Sequence, residues 1–446
     1  MTLVKIMTAH YQDIINDNFW LPFTPNKDFR KDPKLFARAE GEYYYDPDGR
    51  AILDGVSGLF ASALGHGRKD IAEAVHRQML TLDFTASFYR GHPGAFAAAK
   101  ALSALLPPGL DRIFFVGSGS EAVDTALKIA LAYHRSRGQG GRHLFVSRER
   151  AYHGVNFGGV ALSGLPNNRR TFAGGGPQVV HMRHTWLEEN RYSRGQPEHG
   201  DFLADDLLRL ITLHGAENIA ACVVEPIAGS TGVLVPPVGY LERLRQLCDR
   251  HDILLVMDEV ICGFGRTGRA FASQTFDIRP DIITMAKALT NGTLPMGAVA
   301  VQREIYDSII NAAGEQDIEF FHGYTWSAHP VACAAALAAL EIYREESVFT
   351  AADTLSGHFQ ERLFALRGLP LVTDIRGYGL LGGIDLAPGA KPGQRGYEVQ
   401  KKLFDAGLHL KSTGDALIIA PILVSEPDRI DRLFEILTKV LSNIKP

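Results

Sequence analysis

Residues 252–297 read DILLVMDEVICGFGRTGRAFASQTFDIRPDIITMAKALTNGTLPMG. An apolar run, 253–257, stops abruptly at Asp258 and Glu259. A glycine-rich turn follows, then a second apolar run at Ile282 and Ile283, then Lys287 between Ala286 and Ala288. Runs this short and apolar suit strands buried on both faces of a sheet. In parallel sheets, ligands bind beyond the carboxyl ends of the strands. The acid and the lysine therefore mark one candidate rim. A lysine flanked by apolar residues loses solvation, which favours its neutral, nucleophilic form. A lysine that snorkels to solvent is the plainer alternative.

The same pattern extends in both directions. Strand-like segments at 112–116, 143–147, 219–227, 253–260, 280–286 and 297–301 are interspersed with helical ones at 71–82, 94–106, 120–134 and 240–251. This predicts an α/β fold with a mostly parallel sheet. Upstream, EYYYDPDGRAILDGVSG (42–58) predicts a hairpin turning at Asp46-Pro47-Asp48-Gly49. Before it, Trp20, Pro22, Phe23 and Pro25 form an aromatic–proline patch that cannot be regular helix. Packing and a pocket wall are both open for that patch. Beyond 330 come helices at 332–345 and 351–366, short strands at 371–377, 380–386, 408–412 and 416–421, and a last helix at 427–444. This α+β unit is expected to pack with the N-terminal hairpin. The division is 1–65 (arm and part of a small domain), 66–330 (large domain) and 331–446 (small domain).

The composition excludes several classes. With 446 residues, 46% hydrophobic and 22% charged, the chain suits a soluble globular protein with a sizeable core. A net charge of −4 favours neither nucleic acid nor an anionic membrane as partner. The most apolar helix candidate, 331–340, falls short of the ~20 residues a membrane span needs. The opening MTLVKIMTAHYQDIINDNFW lacks a signal-peptide apolar block. Cys222, Cys248, Cys262 and Cys333 show no CxxC spacing and predict reduced core thiols in the cytoplasm, with no metal site.

Four further motifs bear on chemistry. Gly117-Ser118-Gly119-Ser120-Glu121 follows a strand and opens a helix, with capping-box spacing between Ser118 and Glu121. Free N–H groups at such a helix start suit a phosphate, although an ordinary cap reads the same way. Tyr152-His153-Gly154 stands just past a strand, where an aromatic can stack on a planar ring or simply pack in a loop. Glu225-Pro226 ends a strand, as Asp258-Glu259 does, so carboxylates gather at one rim unless they are surface acids. Together the parts fit pyridoxal 5′-phosphate: a helix start for its phosphate, a stacking face, a carboxylate for its pyridine nitrogen and a lysine for its aldehyde. Lys287 is then also the base that moves the substrate proton. Gly263 to Gly268 spells GxGxxG, but a dinucleotide site needs a helix running on from the motif, and only eleven residues separate it from Pro280.

With these motifs in place, the chain resembles the class III pyridoxal-phosphate-dependent aminotransferases, and within them the ω-amino acid:pyruvate (β-alanine:pyruvate) type. The resemblance rests on the stretch 252–297 and on FWLPFT, DGVSGLFASALGHGRKDI, GSGSEAVDTALK, AYHGVNFGG, YSRGQP, VEPIAGSTGVLVPPVGYL and FHGYTWSAHPVACAA. It implies the type I aminotransferase fold, with a seven-stranded, mostly parallel central sheet, and a homodimer or tetramer with shared active sites. By position it implies Lys287 as the covalent anchor and catalytic base, and Asp258 as partner of the pyridine nitrogen. Val260 and Tyr152 would take the two ring faces, and Glu225 would stand nearby. Gly119 and Ser120 would hold the phosphate, joined by Thr325 from a neighbouring subunit. Trp20, Phe23, Phe60, Phe88 and Tyr152 would wall the substrate pocket, and Ser230 and Thr231 would limit one subpocket. In LHLKSTGDALIIAPI, Lys411 stands where similar enzymes carry a carboxylate-clamping arginine. Lysine is a point charge rather than a planar fork, so altered carboxylate binding is expected. The implied reaction is a ping-pong transamination from an ω-amino acid or primary amine to an oxo acid, pyruvate foremost. The alternative is a same-fold aminomutase or decarboxylase.

Overall fold

The computed structural model describes Ile15 and residues 18–444. Most of the opening stretch 1–20, expected to lack a signal-peptide block, lies outside them. In chain order the strands are β1 (Arg38–Glu40), β2 (Tyr43–Tyr45), β3 (Ala51–Asp54), β4 (Arg112–Val116), β5 (Leu144–Arg148), β6 (Val179–Met182), β7 (Ile219–Val224) and β8 (Leu254–Asp258). They continue as β9 (Ile282–Met285), β10 (Gly297–Val301), β11 (Val372–Tyr378), β12 (Leu381–Leu386), β13 (Leu408–His409), β14 (Lys411–Thr413) and β15 (Ala416–Ile419).

The central sheet has seven strands in the order β4-β10-β9-β8-β7-β5-β6. Strand β10 is antiparallel to both its neighbours, and the remaining pairings are parallel. The mostly parallel α/β sheet expected from sequence is therefore present. Its strands are apolar throughout because both faces are covered. Val223, Val256, Ile282 and Val299 join the core beneath helix Gly119–Ser136. The alternate residues Val224, Leu255, Met257 and Ile283 join the opposite core. Truncating Leu255, Met257, Ile282 or Ile283 to alanine costs about 2–5 kcal/mol.

Two smaller sheets complete the fold. One has the order β1-β2-β3-β13 and the other β11-β12-β15-β14. The expected hairpin is β2–β3; Asp46 Oδ1 accepts the Asp48 and Arg50 amides at 3.1 and 2.9 Å and closes the turn. Parallel pairing of β13 with β3 joins this hairpin to the C-terminal segment.

Two local expectations change, and one strand had no expectation. The segment 408–412, read as one strand, divides between two sheets at Leu410, because β13 pairs with β3 and β14 with β15. Strand β6 gave no clear signal, being a half-buried edge strand just after glycines 174–176. The capping box is half formed. Ser118 Oγ accepts the Glu121 amide at 3.2 Å, but Glu121 Oε2 accepts from Gly117 N at 2.6 Å, not from the cap residue itself. The GxGxxG turn leads only to the four-residue helix Ala272–Thr275, so it carries no dinucleotide site. Its buried Arg266 instead donates to Ser57 Oγ at 3.2 Å and to the carbonyls of Leu380 and Pro421. Among the described residues no helix is long and apolar enough to cross a membrane, and the four cysteines are free and buried.

Candidate active site

The chemistry-bearing residues converge at one rim. Strand β4 leads to Gly119 and Ser120, β5 to Tyr152, β7 to Glu225, β8 to Asp258 and Val260, and β9 to Lys287. All of these line a cavity of about 170 Å³, together with His153 and Gly154. A helix start, two carboxylates, an aromatic ring and an amine thus face one space.

Local packing explains the placement. At Gly119 a Cβ would stand 3.0 Å from the Val260 side chain, and at Gly154 it would stand 2.5 Å from Ser120 Oγ. Glycine at both positions lets the helix start approach the rim. Ser120 Oγ accepts the Val155 amide at 3.1 Å. Glu225 is buried and accepts from Tyr152 N at 3.0 Å and Gly229 N at 3.1 Å. Asp258 accepts from His153 Nδ1 at 2.7 Å, Thr284 Oγ1 at 3.1 Å and Val260 N at 3.2 Å, which fixes its carboxylate. His153 and Thr284 had no role in the sequence reading. His153 stood inside the Tyr-His-Gly motif, whereas Thr284 had no distinguishing signal.

Lys287 sits at positive φ, 48°, a strained conformation that directs its side chain into the cavity. Burial pushes its pKa down, against the pull of Asp258 and Glu225. Burial raises that of Glu225. Burial thus makes Lys287 a weaker base than a solvent-exposed lysine, the direction an amine that attacks an aldehyde requires. The donor set fits pyridoxal phosphate. Gly119 and Ser120, the first residues of a helix, line the cavity at one strand end, while an anchored carboxylate and an amine line it at others.

Tyr152 and Lys287 also line a second chamber of about 670 Å³. Phe23, Phe60, Ser230 and Lys411 of the sequence-predicted residues face this chamber, and His409 and Gln400 join them. The ring of Phe60 lies 5.8 Å from Lys287 Nζ and 5.5 Å from Lys411 Nζ, measured to its centroid. Burial first, and then the charge of Lys287, pushes the pKa of Lys411 down to about 8. Lys411 Nζ reaches Ser230 Oγ at 3.4 Å.

The remaining predicted residues stand elsewhere. Trp20 and Phe88 are exposed and line neither space. Thr325 is exposed as well. Thr231 is buried, with its hydroxyl donating to the Arg150 carbonyl at 2.6 Å, so Ser230 rather than Thr231 faces the chamber.

The chain is similar to known proteins over nearly its whole length. The model of the class III aminotransferase family matches residues 27–441. An ω-aminotransferase of Caulobacter vibrioides is 51% identical, covering 96% of this chain and 98% of that protein. An ω-amino acid–pyruvate aminotransferase of Pseudomonas putida is 46% identical, covering 96% of each. The solved ω-transaminase of Pseudomonas jessenii in complex with PMP superposes with a TM-score of 0.90 at 31% identity, covering 99% of this chain and 98% of that one. A lysine and an acid at the ends of neighbouring strands, within a match that runs almost from end to end, place the chain in the class III aminotransferases, enzymes that use pyridoxal phosphate.

Proposed function

We propose that this aminotransferase moves an amino group from an ω-amino acid or a related primary amine to an oxo acid, pyruvate foremost. The carrying observation is Lys411, an ammonium group that shares the chamber of Lys287 and, among the described residues, has no carboxylate as a hydrogen-bond or ion-pair partner. A substrate carboxylate supplies the missing partner. The names of the relatives, an ω-aminotransferase and an ω-amino acid–pyruvate aminotransferase, support the same class.

Each residue has a role in this reading. Lys287 would hold the cofactor through its Nζ and, once released by the incoming amine, that nitrogen would take the proton from the substrate carbon that bears the amine. Asp258, oriented by His153 and Thr284, receives the pyridine nitrogen. Gly119 and Ser120 take the phosphate, Tyr152 and Val260 flank the ring, and Glu225 shapes the rim. The bound cofactor supplies an electron sink for the carbon that loses its proton. Phe60 and Phe23 wall the substrate.

A homodimer belongs to this reading. Phe84, Phe88, Phe96, Phe321 and Trp326 are exposed, and Phe84 stacks edge-on against Trp326 at 5.2 Å. Exposed aromatics in such number mark an interaction surface. Thr325 stands beside them, where it would reach a phosphate only across a subunit interface. The buried free thiols support a reducing, cytoplasmic setting.

A donor panel of ω-amino acids and carboxylate-free amines, run against pyruvate and other oxo acids, tests the proposal by cofactor absorbance. Two half-reactions should appear, the second requiring an oxo acid. Sustained turnover of an amine with no oxo acid present would favour the aminomutase or decarboxylase alternative instead.

A further inference from the structure

A row of four residues crosses the second small sheet. Arg376 on β11 stands opposite Gly383 on β12, Gly383 opposite Ile418 on β15, and Ile418 opposite Lys411 on β14. Directly opposed residues of an antiparallel sheet point to the same face. Arg376 and Lys411 therefore rise from one face, at opposite ends of the row.

The loop 228–234 lies on that face between them. A Cβ on Gly383 would fall 2.4 Å from the Gly232 carbonyl oxygen, so this glycine is the seat of the loop. The loop is closed by paired backbone bonds between Ala228 and Leu234, at 3.1 and 3.0 Å. At one side Arg376 donates to the Gly232 carbonyl through Nε at 3.1 Å and Nη2 at 2.9 Å. At the other side Lys411 reaches Ser230 Oγ.

Arg376 is itself fixed. It is buried and forms a two-pronged pair with Asp385, at 2.9 and 2.6 Å, and a further pair with Asp374. Asp374 also accepts from Trp186 Nε1 at 3.0 Å and Tyr192 N at 2.7 Å. A planar guanidinium in this fork leaves the Gly232 carbonyl little freedom. The Ser230–Lys411 contact is long at 3.4 Å, so a small loop shift suffices to make or break it.

We propose that Arg376 is a positioning residue for substrate recognition: by holding Gly232 on Gly383 it sets where Ser230 stands against Lys411, and thereby how well the site takes a substrate carboxylate. This rests on the reading of Lys411 as the carboxylate contact. Misplacement of a binding group by about 1 Å can cost roughly 100-fold, so a loosened loop should register clearly.

Two variants disturb the loop from different sides. Arg376→Lys keeps a charge for Asp374 and Asp385 but removes the fork. Gly383→Ala leaves the ion cluster intact and presses on the Gly232 carbonyl. Each is prepared as holoenzyme, with cofactor loading and thermal melting as controls for folding. KM and kcat are then measured for an ω-amino acid, for pyruvate and for a carboxylate-free primary amine. The expected result is a rise of about 10-fold or more in KM for the two carboxylates, with the carboxylate-free amine changed less than about 2-fold. Combined with Lys411→Ala, each should add little further loss, because both act on one contact. Equal losses for all three substrates, or unchanged carboxylate KM in whichever variant folds, would overturn the proposal. Lys411→Ala alone separates the two levels. If it leaves carboxylate KM unchanged, the underlying reading fails. If it raises KM while the loop variants do not, only the role of Arg376 fails.

Discussion

The two ends of the active site are built differently. The inner end, around Asp258 and Lys287, is made from strand ends of one sheet and locked by short bonds between buried groups, such as His153 to Asp258 at 2.7 Å. The outer end, around Lys411, is assembled from the N-terminal arm, the loop 228–234 and the small sheet, pieces remote in sequence. Its defining contact is a 3.4 Å bond, and much of its wall is half exposed. The inner end can hold one cofactor in one pose. The outer end can adapt to two substrates of a ping-pong cycle, because fewer constraints hold each group.

Substitutions at the inner end should therefore be the most damaging. Lys287→Ala removes both anchor and base, and kcat should fall by roughly 10³-fold or more, with the enzyme's visible absorbance altered in the same sample. Asp258→Asn should come next, at roughly 10²–10³-fold, as an amide replaces the carboxylate at the pyridine nitrogen. His153→Phe leaves Asp258 in place and removes one of its three hydrogen bonds, so a loss of about 10-fold is expected, with weaker cofactor retention on dialysis. If His153→Phe proved as harmful as Asp258→Asn, the histidine would have to act on more than the orientation of the carboxylate.

The same contrast governs what was legible in the sequence. Asp258 and Lys287 could be found because each follows an apolar strand, a signal contained in a few neighbouring residues. Gly119 and Ser120 were visible for the same reason, at a strand–turn–helix junction. The outer end has no such local mark. Whether Ser230 or Thr231 faces the chamber depends on which hydroxyl meets the Arg150 carbonyl, a contact with a segment 81 positions away. The division of 408–412 depends on β3, more than 350 residues earlier in the chain. Arg376 and Lys411 share a row only because three strand pairings bring them there. Periodicity reports which residues are buried; it does not report which distant strand they meet.

The charge of Lys411 offers a milder test. Its pKa is pushed from the ordinary lysine range to about 8, by burial and by Lys287, with Glu225 acting in the opposite sense. Below pH 8 the ammonium form predominates and takes the carboxylate; above it the amine is neutral and the attraction is lost. The KM for pyruvate should be flat below this pH and rise by up to ~10-fold per unit above it. Lys411→Arg stays charged throughout and should flatten the profile between pH 7 and 9.5. A slope that survived in Lys411→Arg would assign the titration to another group, Lys287 first.

The smallest effect is expected at the roof of the outer chamber. Pro25, Phe29 and Phe36 of the arm line it, and the arm is tied to helix Gln394–Asp405 by charged contacts. Lys34 pairs with Asp405 at 2.7 Å and with Asp32 at 3.0 Å, while Asp28 meets Lys401 at 3.2 Å. These partners are solvent-exposed to different degrees; Asp405 is 57% accessible. Such pairs contribute no more than ~1 kcal/mol and are screened by salt. Lys34→Ala should accordingly lower stability by less than this amount and raise KM only for donors long enough to touch the roof, by about 2–3-fold. Raising the ionic strength should weaken the wild-type enzyme in the same direction and leave the variant less affected. A loss of kcat as large as that of His153→Phe would mean the arm orders the inner end too, and the two ends would then have to be treated as one mechanical unit.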